Sequence, residues 1–147
     1  MAQTELHGDD IVLRLTRDTA ADPDKGWLRA LHYDVTHAAN GETVGRINLR
    51  IGYTTSVVRY GGHIGYGIDP DWRGQRFAAK ACLLLRPIAK AHGMDVLWIT
   101  CNPDNWPSRK TCERLGATLI EIVDLPPDND QYQRGERQKC RYRWTVY

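Results

Sequence analysis

The sequence predicts a mixed α/β fold in which antiparallel strands come first and a strand–helix–strand–helix–strand run follows. Two observations predict it. The first half carries period-two alternation and a hairpin signal. The second half alternates short apolar runs with stretches of helical spacing, which gives a mixed sheet with helices packed on it.

Asp10–Arg17 places Ile11, Leu13 and Leu15 on one face and Val12 and Arg14 on the other. Asp22–Gly26 is turn material. Leu28–His37 and Thr43–Ile51 are strand-like runs joined through Asn40-Gly41, a pair that tolerates the positive φ of a tight hairpin. A looser stretch, Tyr53–Gly62, leads to a compact strand, His63–Ile68, whose glycines imply close approach to the backbone. Gln75–His92 spaces Phe77, Ala81, Leu84, Leu85, Ile88 and Ala89 as a helix, contains Pro87, which is expected to kink it, and stops at Gly93. Val96–Thr100 reads as a buried strand. Asn105–Leu115 reads as a second helix, capped by Asn105, with Pro107 in its first turn and Gly116 at its end. Thr118–Val123 and Arg141–Tyr147 read as strands flanking the polar loop Pro126–Gln138.

The 147 residues fit one domain over 1–147, without internal repeat or composition break. Twenty Lys and Arg against eighteen Asp and Glu, interspersed, give no case for a nucleic-acid or membrane surface. No apolar run is long enough for a bilayer and Met1–Asp10 lacks signal-peptide character, so the expected location is the cytoplasm. The four cysteines have no paired metal-ligand spacing, and no metal is expected. Cys82 and Cys140 fall in apolar patterns as buried thiols.

Chemistry concentrates in Ile68-Asp69-Pro70-Asp71-Trp72-Arg73-Gly74-Gln75-Arg76-Phe77-Ala78. A strand ends, a Pro- and Gly-containing turn follows, and a helix begins. The first amides of a helix lack internal partners and sit at the positive end of its dipole, which suits an anion. Gly74 and Ala78 leave room for close approach, and Arg73 and Arg76 add charge suited to phosphate. A solvated helix start with two surface arginines is the simpler alternative.

The segment resembles the acetyl-CoA loop of the GNAT N-acetyltransferases, Arg/Gln-x-x-Gly-x-Gly/Ala after a strand, here Arg73-x-x-Arg76-x-Ala78. Asn105-x-x-Ser108 followed by Glu113-Arg114-Leu115-Gly116-Ala117 is similar to the second motif of that family. The resemblance implies a GNAT-like fold with a splayed central cleft. It implies acetyl transfer from acetyl-CoA, the cosubstrate, to a small-molecule or peptide amine. The amides and side chains of Arg73, Gly74, Gln75, Arg76, Phe77 and Ala78 would hold the pyrophosphate. Asn105 and Ser108 would meet the pantetheine arm, and an amide at Ile68 would polarise the thioester carbonyl.

Two positions depart from the pattern. Arg76 stands where the family has its central glycine, and Cys112 stands where many members have a tyrosine that protonates the departing thiolate. Cys112 is therefore a candidate proton donor, on the same helix face as Asn105 and Ser108. His63 and Tyr66 are catalytic candidates on the strand beside the acetyl end, of opposite parity, so one of them faces it. A structural histidine is the simpler reading of His63. The departures also leave open an alternative, a CoA-binding module of the same fold with a regulatory role. The acceptor pocket is expected from Asp18–Gly26 and Tyr53–Gly62, and a homodimer is left open.

Overall fold

The computed structural model describes residues 4–146. Its elements run β1 (Glu5–His7), β2 (Ile11–Thr19), β3 (Arg29–His37), β4 (Thr43–Ile51), β5 (Ile64–Ile68), α1 (Phe77–Ala91), β6 (Val96–Cys101), α2 (Trp106–Arg114), β7 (Thr118–Asp124), α3 (Asp130–Gln133) and β8 (Gln138–Thr145). β1 to β5 form one antiparallel sheet in chain order, and β6-β8-β7 form a second.

Local chemistry sets these elements. In β2, Ile11 and Leu13 turn inward while Val12 and Arg14 turn out. The β3–β4 hairpin closes where Gly41 takes φ 74° and the Glu42 amide donates to Asn40 Oδ1 at 2.9 Å. α1 lays Phe77, Ala81, Cys82, Leu85, Ile88 and Ala89 against the inner faces of the strands. Leu85 is fully buried there, so Leu85→Ala is expected to cost about 2–5 kcal/mol.

The structure adds three elements to the sequence reading. β1 is an additional edge strand, too short for a periodic signal. The stretch before β5 winds into a π-helical turn at Val57–Gly61, and the polar loop holds the short α3. The splayed central cleft that the resemblance implies is present: β5 and β6, joined through α1, form no ladder, and the strands fall into two sheets. That division creates the site. All four cysteines are buried thiols, with Cys101 paired opposite Cys140 between β6 and β8.

Candidate active site

β5 and β6 part from a common point. The Asp69 amide donates to Val44 O, and the Arg50 amide donates to His63 O. Antiparallel pairing alternates, so the odd residues of β5 spend their backbone groups on β4. Those of Ile64, Tyr66 and Ile68 then turn toward β6. On the other side, the Val146 amide donates to Asp95 O, which by the same alternation turns Val96, Trp98 and Thr100 toward β5. The two strands meet at one place. His63 N donates to Trp98 O at 2.6 Å, and the Trp98 amide donates to His63 Nδ1 at 2.9 Å. Beyond that point the strands diverge around a cavity of about 850 Å³.

His63 is a clasp. Its Nδ1 accepts from Trp98, which leaves the proton on Nε2 to donate to Gly52 O at 2.8 Å. The ring is fully buried, and burial is the main force that depresses its pKa to about 4, with Arg50 adding to it. Both nitrogens are engaged by backbone and the ring does not line the cavity, so the structure corrects His63 as a catalytic candidate.

One mouth of the cavity opens at the start of α1. Arg73, Gly74, Arg76, Phe77 and Ala78, named above as cofactor-binding candidates, line it together with Trp72. Gln75, predicted with them, lies outside the lining and is exposed. Arg76 takes φ 62° and ψ 25°, the left-handed region that favours glycine, at a cost of about 1–2 kcal/mol. The backbone therefore keeps the shape of a glycine loop while a guanidinium replaces the missing hydrogen. No side chain caps α1 and no acid lies in its first turn, so the leading amides face the cavity unopposed. A Cβ at Gly74 would meet nothing within 4 Å, which leaves the approach open. Arg73, Arg76, Lys110 and Arg114 line the cavity with no carboxylate in salt-bridge reach among the described residues, and the one carboxylate of the lining, Glu136, is held by Lys139. Uncapped amides, an open glycine and unopposed cations fit a diphosphate.

Deeper in, Tyr66 reaches across from β5 to α2. Its hydroxyl lies 2.6 Å from Ser108 Oγ, and the Ser108 amide donates to Asn105 Oδ1 at 3.3 Å. Burial holds the Tyr66 pKa well above the ordinary tyrosine value, so the hydroxyl stays protonated at neutral pH. Tyr66, Ile68, Asn105 and Ser108 all line the cavity. Cys112, predicted on the same helix face, lies behind them. It is fully buried, outside the lining, and burial pushes its thiol up to about 12. This corrects Cys112 as a proton donor at the cavity: its thiol meets the Tyr66 side chain, and Tyr66 is the one that lines the cavity.

The opposite end of the same cavity carries groups that sequence reasoning missed. Glu136 Oε1 accepts from Asn102 Nδ2 at 2.9 Å and from Lys139 Nζ at 3.0 Å, and Lys139 also donates to Asn102 Oδ1 at 2.7 Å. Asn102 directly follows β6, Glu136 lies in the polar loop and Lys139 stands at the start of β8. Only the pairing of β8 with β6 brings them together, and no local motif signals that. Among the described residues no group of three or more His, Cys, Asp or Glu is placed to hold a metal, and no helix is long and apolar enough to cross a membrane.

Residues 9–118 match the acetyltransferase (GNAT) domain family, and the chain belongs to that family of acetyltransferases. No curated protein matches the chain. Solved structures share the fold. One is a Vibrio cholerae protein assigned as a ribosomal-protein-serine acetyltransferase, at TM-score 0.70 and 15% identity over 96% of this chain and 97% of that one. Another is the ribosomal-protein-S5-alanine acetyltransferase of Vibrio fischeri, at TM-score 0.63 and 17% identity over 80% of this chain and 62% of that one. The microcin C7 self-immunity acetyltransferase MccE, solved with acetyl-CoA and AMP, aligns at TM-score 0.62 and 18% identity over 80% of this chain and 61% of that one. The chain thus spans about three fifths of the last two proteins.

Proposed function

We propose that this GNAT acetyltransferase, acting as a single domain, binds acetyl-CoA between β5 and β6 and passes the acetyl group to an amine by direct attack in a ternary complex. The observation that carries the reading is the uncapped start of α1 beside a cavity lined by Arg73, Arg76, Lys110 and Arg114, none of them paired with a carboxylate among the described residues. Arg73, Arg76 and the amides from Gly74 to Ala78 hold the pyrophosphate. Asn105 and Ser108 line the path of the pantetheine arm, and the outward backbone of Ile64 and Tyr66 hydrogen-bonds it as an added strand does.

Acetyl-CoA supplies an activated acyl carbon on a thiolate leaving group. The chain contributes position and charge. The Ile68 amide faces the gap and polarises the carbonyl oxygen. Arg73 Nε donates to the Ile68 carbonyl at 2.9 Å, which fixes the end of the strand. As the C–N bond forms and the C–S bond breaks, Tyr66, held by Ser108, donates a proton to the departing sulfur. The proton shed by the amine passes through water to restore the phenol. The raised pKa of Tyr66 keeps its proton in place until a thiolate forms.

Thiol release from acetyl-CoA on addition of an amine panel tests this. Acetyl-CoA-dependent thiol release above the hydrolytic background is expected. Absence of release, with no thermal stabilisation by acetyl-CoA, would overturn it.

A further inference from the structure

On the sheet face opposite α1 lies a second cavity of about 650 Å³. It shares Gly65, Tyr66 and Gly67 with the first, so the two cavities abut across β5. Strand register explains its shape. His32, Asn48 and Gly65 stand opposite one another across β3, β4 and β5, and Asp34, Arg46 and Gly67 form the next row. Each row ends in a glycine, so the surface drops beside β5 and forms a trough leading to the gap.

The trough and the adjoining end of the gap are basic. Arg17, Arg46, Arg50, Arg134 and Lys139 line them, against two carboxylates, Asp34 and Glu136: five cations less two anions leaves an excess of three. Both carboxylates are already engaged, Asp34 with Arg46 at 3.8 Å and Glu136 with Lys139 at 3.0 Å. Among the described residues Arg17 pairs with no carboxylate. These groups lie across the sheet from the diphosphate mouth and serve something else.

An acceptor amine arrives as an ammonium ion, and a basic trough repels it unless the rest of its molecule is anionic. We propose, resting on the acetyl-transfer reading above, that the trough is the acceptor site and that the acceptor is an amine whose own molecule carries a carboxylate or phosphate. Arg17 and Arg46 bind the anion, since guanidinium matches both groups with paired hydrogen bonds. The amine lies toward Gly65 and Gly67. Arg46 stands opposite Gly67, one strand spacing of about 5 Å away, which sets a short separation between anion and amine.

Matched amines test this by thiol release from acetyl-CoA: O-phosphoethanolamine against ethanolamine, free amino acids against their amides, and peptides beginning Ala-Glu-Glu against Ala-Lys-Lys. The anionic member of at least one pair is expected to have a kcat/KM at least tenfold higher. In Arg17→Ala/Arg46→Ala the advantage should fall below about threefold while stabilisation by acetyl-CoA is unchanged. The first two pairs and the peptide pair separate a small-molecule from a peptide source. Equal or better use of the neutral and basic members would overturn the proposal. If no amine reacts, ligand-observed NMR of the same amines with acetyl-CoA-loaded protein decides. Binding confined to the anionic members supports the proposal, and its absence, with acetyl-CoA still stabilising the fold, overturns the acceptor assignment alone. Loss of acetyl-CoA stabilisation in the wild type would instead overturn the acetyl-transfer reading.

Discussion

The two ends of β5 are held in opposite ways. At the His63 end, every polar group has a partner: the imidazole takes one amide, gives to one carbonyl, and its own amide bridges to β6. At the Ile68 end, the backbone facing β6 has no strand to meet, and the following loop spends energy on a left-handed arginine. Satisfied groups stabilise and stop the chain from moving. Unsatisfied, strained groups persist where a ligand completes them. A sheet that is closed at one end and open at the other thus assigns stability to one residue and binding to another, a few positions along the same strand.

Breaking the closed end should have the largest effect. His63→Ala strands the Trp98 amide and the Gly52 carbonyl and leaves a buried void, at about 2–4 kcal/mol. A melting temperature lower by roughly 6–12 °C is expected for a chain of this size. The same histidine gives stability a pH limb. Its folded pKa, about 4, lies below the unfolded value of 6.5, so between those values the unfolded chain binds the proton and the native ring does not. Stability is therefore fully present above pH 6.5 and declines as pH falls toward 4, by up to about 3 kcal/mol. Denaturant melts of wild type and His63→Ala across that range should show the limb shrinking in the variant.

Chemistry should respond at Tyr66, midway along. Tyr66→Phe removes the hydroxyl that Ser108 holds, and turnover is expected to fall about 100-fold, at the low end for general acid catalysis, with acetyl-CoA binding retained. Cys112→Ala, by contrast, should leave turnover within about twofold, because its thiol lies behind Tyr66 and outside the cavity. Steady-state rates with any accepted amine compare the two.

Arg76 sharpens the contrast at the open end through opposite signs. Arg76→Gly relieves the left-handed strain, so the protein without ligand should melt a few degrees higher. It also deletes a charge-assisted contact, so acetyl-CoA should bind roughly tenfold more weakly. Thermal melts with and without acetyl-CoA show both. A variant destabilised in both states would break the comparison.

Much of the fold was legible because its signals are local. Asn40-Gly41, the alternation in β2 to β4, the spacing of α1 and the Asn105 cap each state a conformation within a few residues. The uncapped helix start with its left-handed turn at Arg76 was legible for the same reason, being one turn and one helix start. The rest depends on long-range pairing. Cys112 shares a helix face with Asn105 and Ser108, as periodicity required, but periodicity does not say that Tyr66 of β5 stands in front of it. His63 looks like a base until Trp98, 35 residues on, takes its lone pair. Glu136, Asn102 and Lys139 form one network only because β8 folds back between β6 and β7.

The central claim is that the open end of β5 and the start of α1 bind acetyl-CoA through its phosphates. Calorimetric titration of the wild type with acetyl-CoA and with S-acetylpantetheine, which keeps the thioester and lacks the nucleotide and pyrophosphate, tests it most directly. Acetyl-CoA is expected to bind at least about 100-fold more tightly, since two or more charge-assisted hydrogen bonds are worth about 3 kcal/mol or more. Equal affinities, or no heat from either ligand at millimolar concentration, would contradict it.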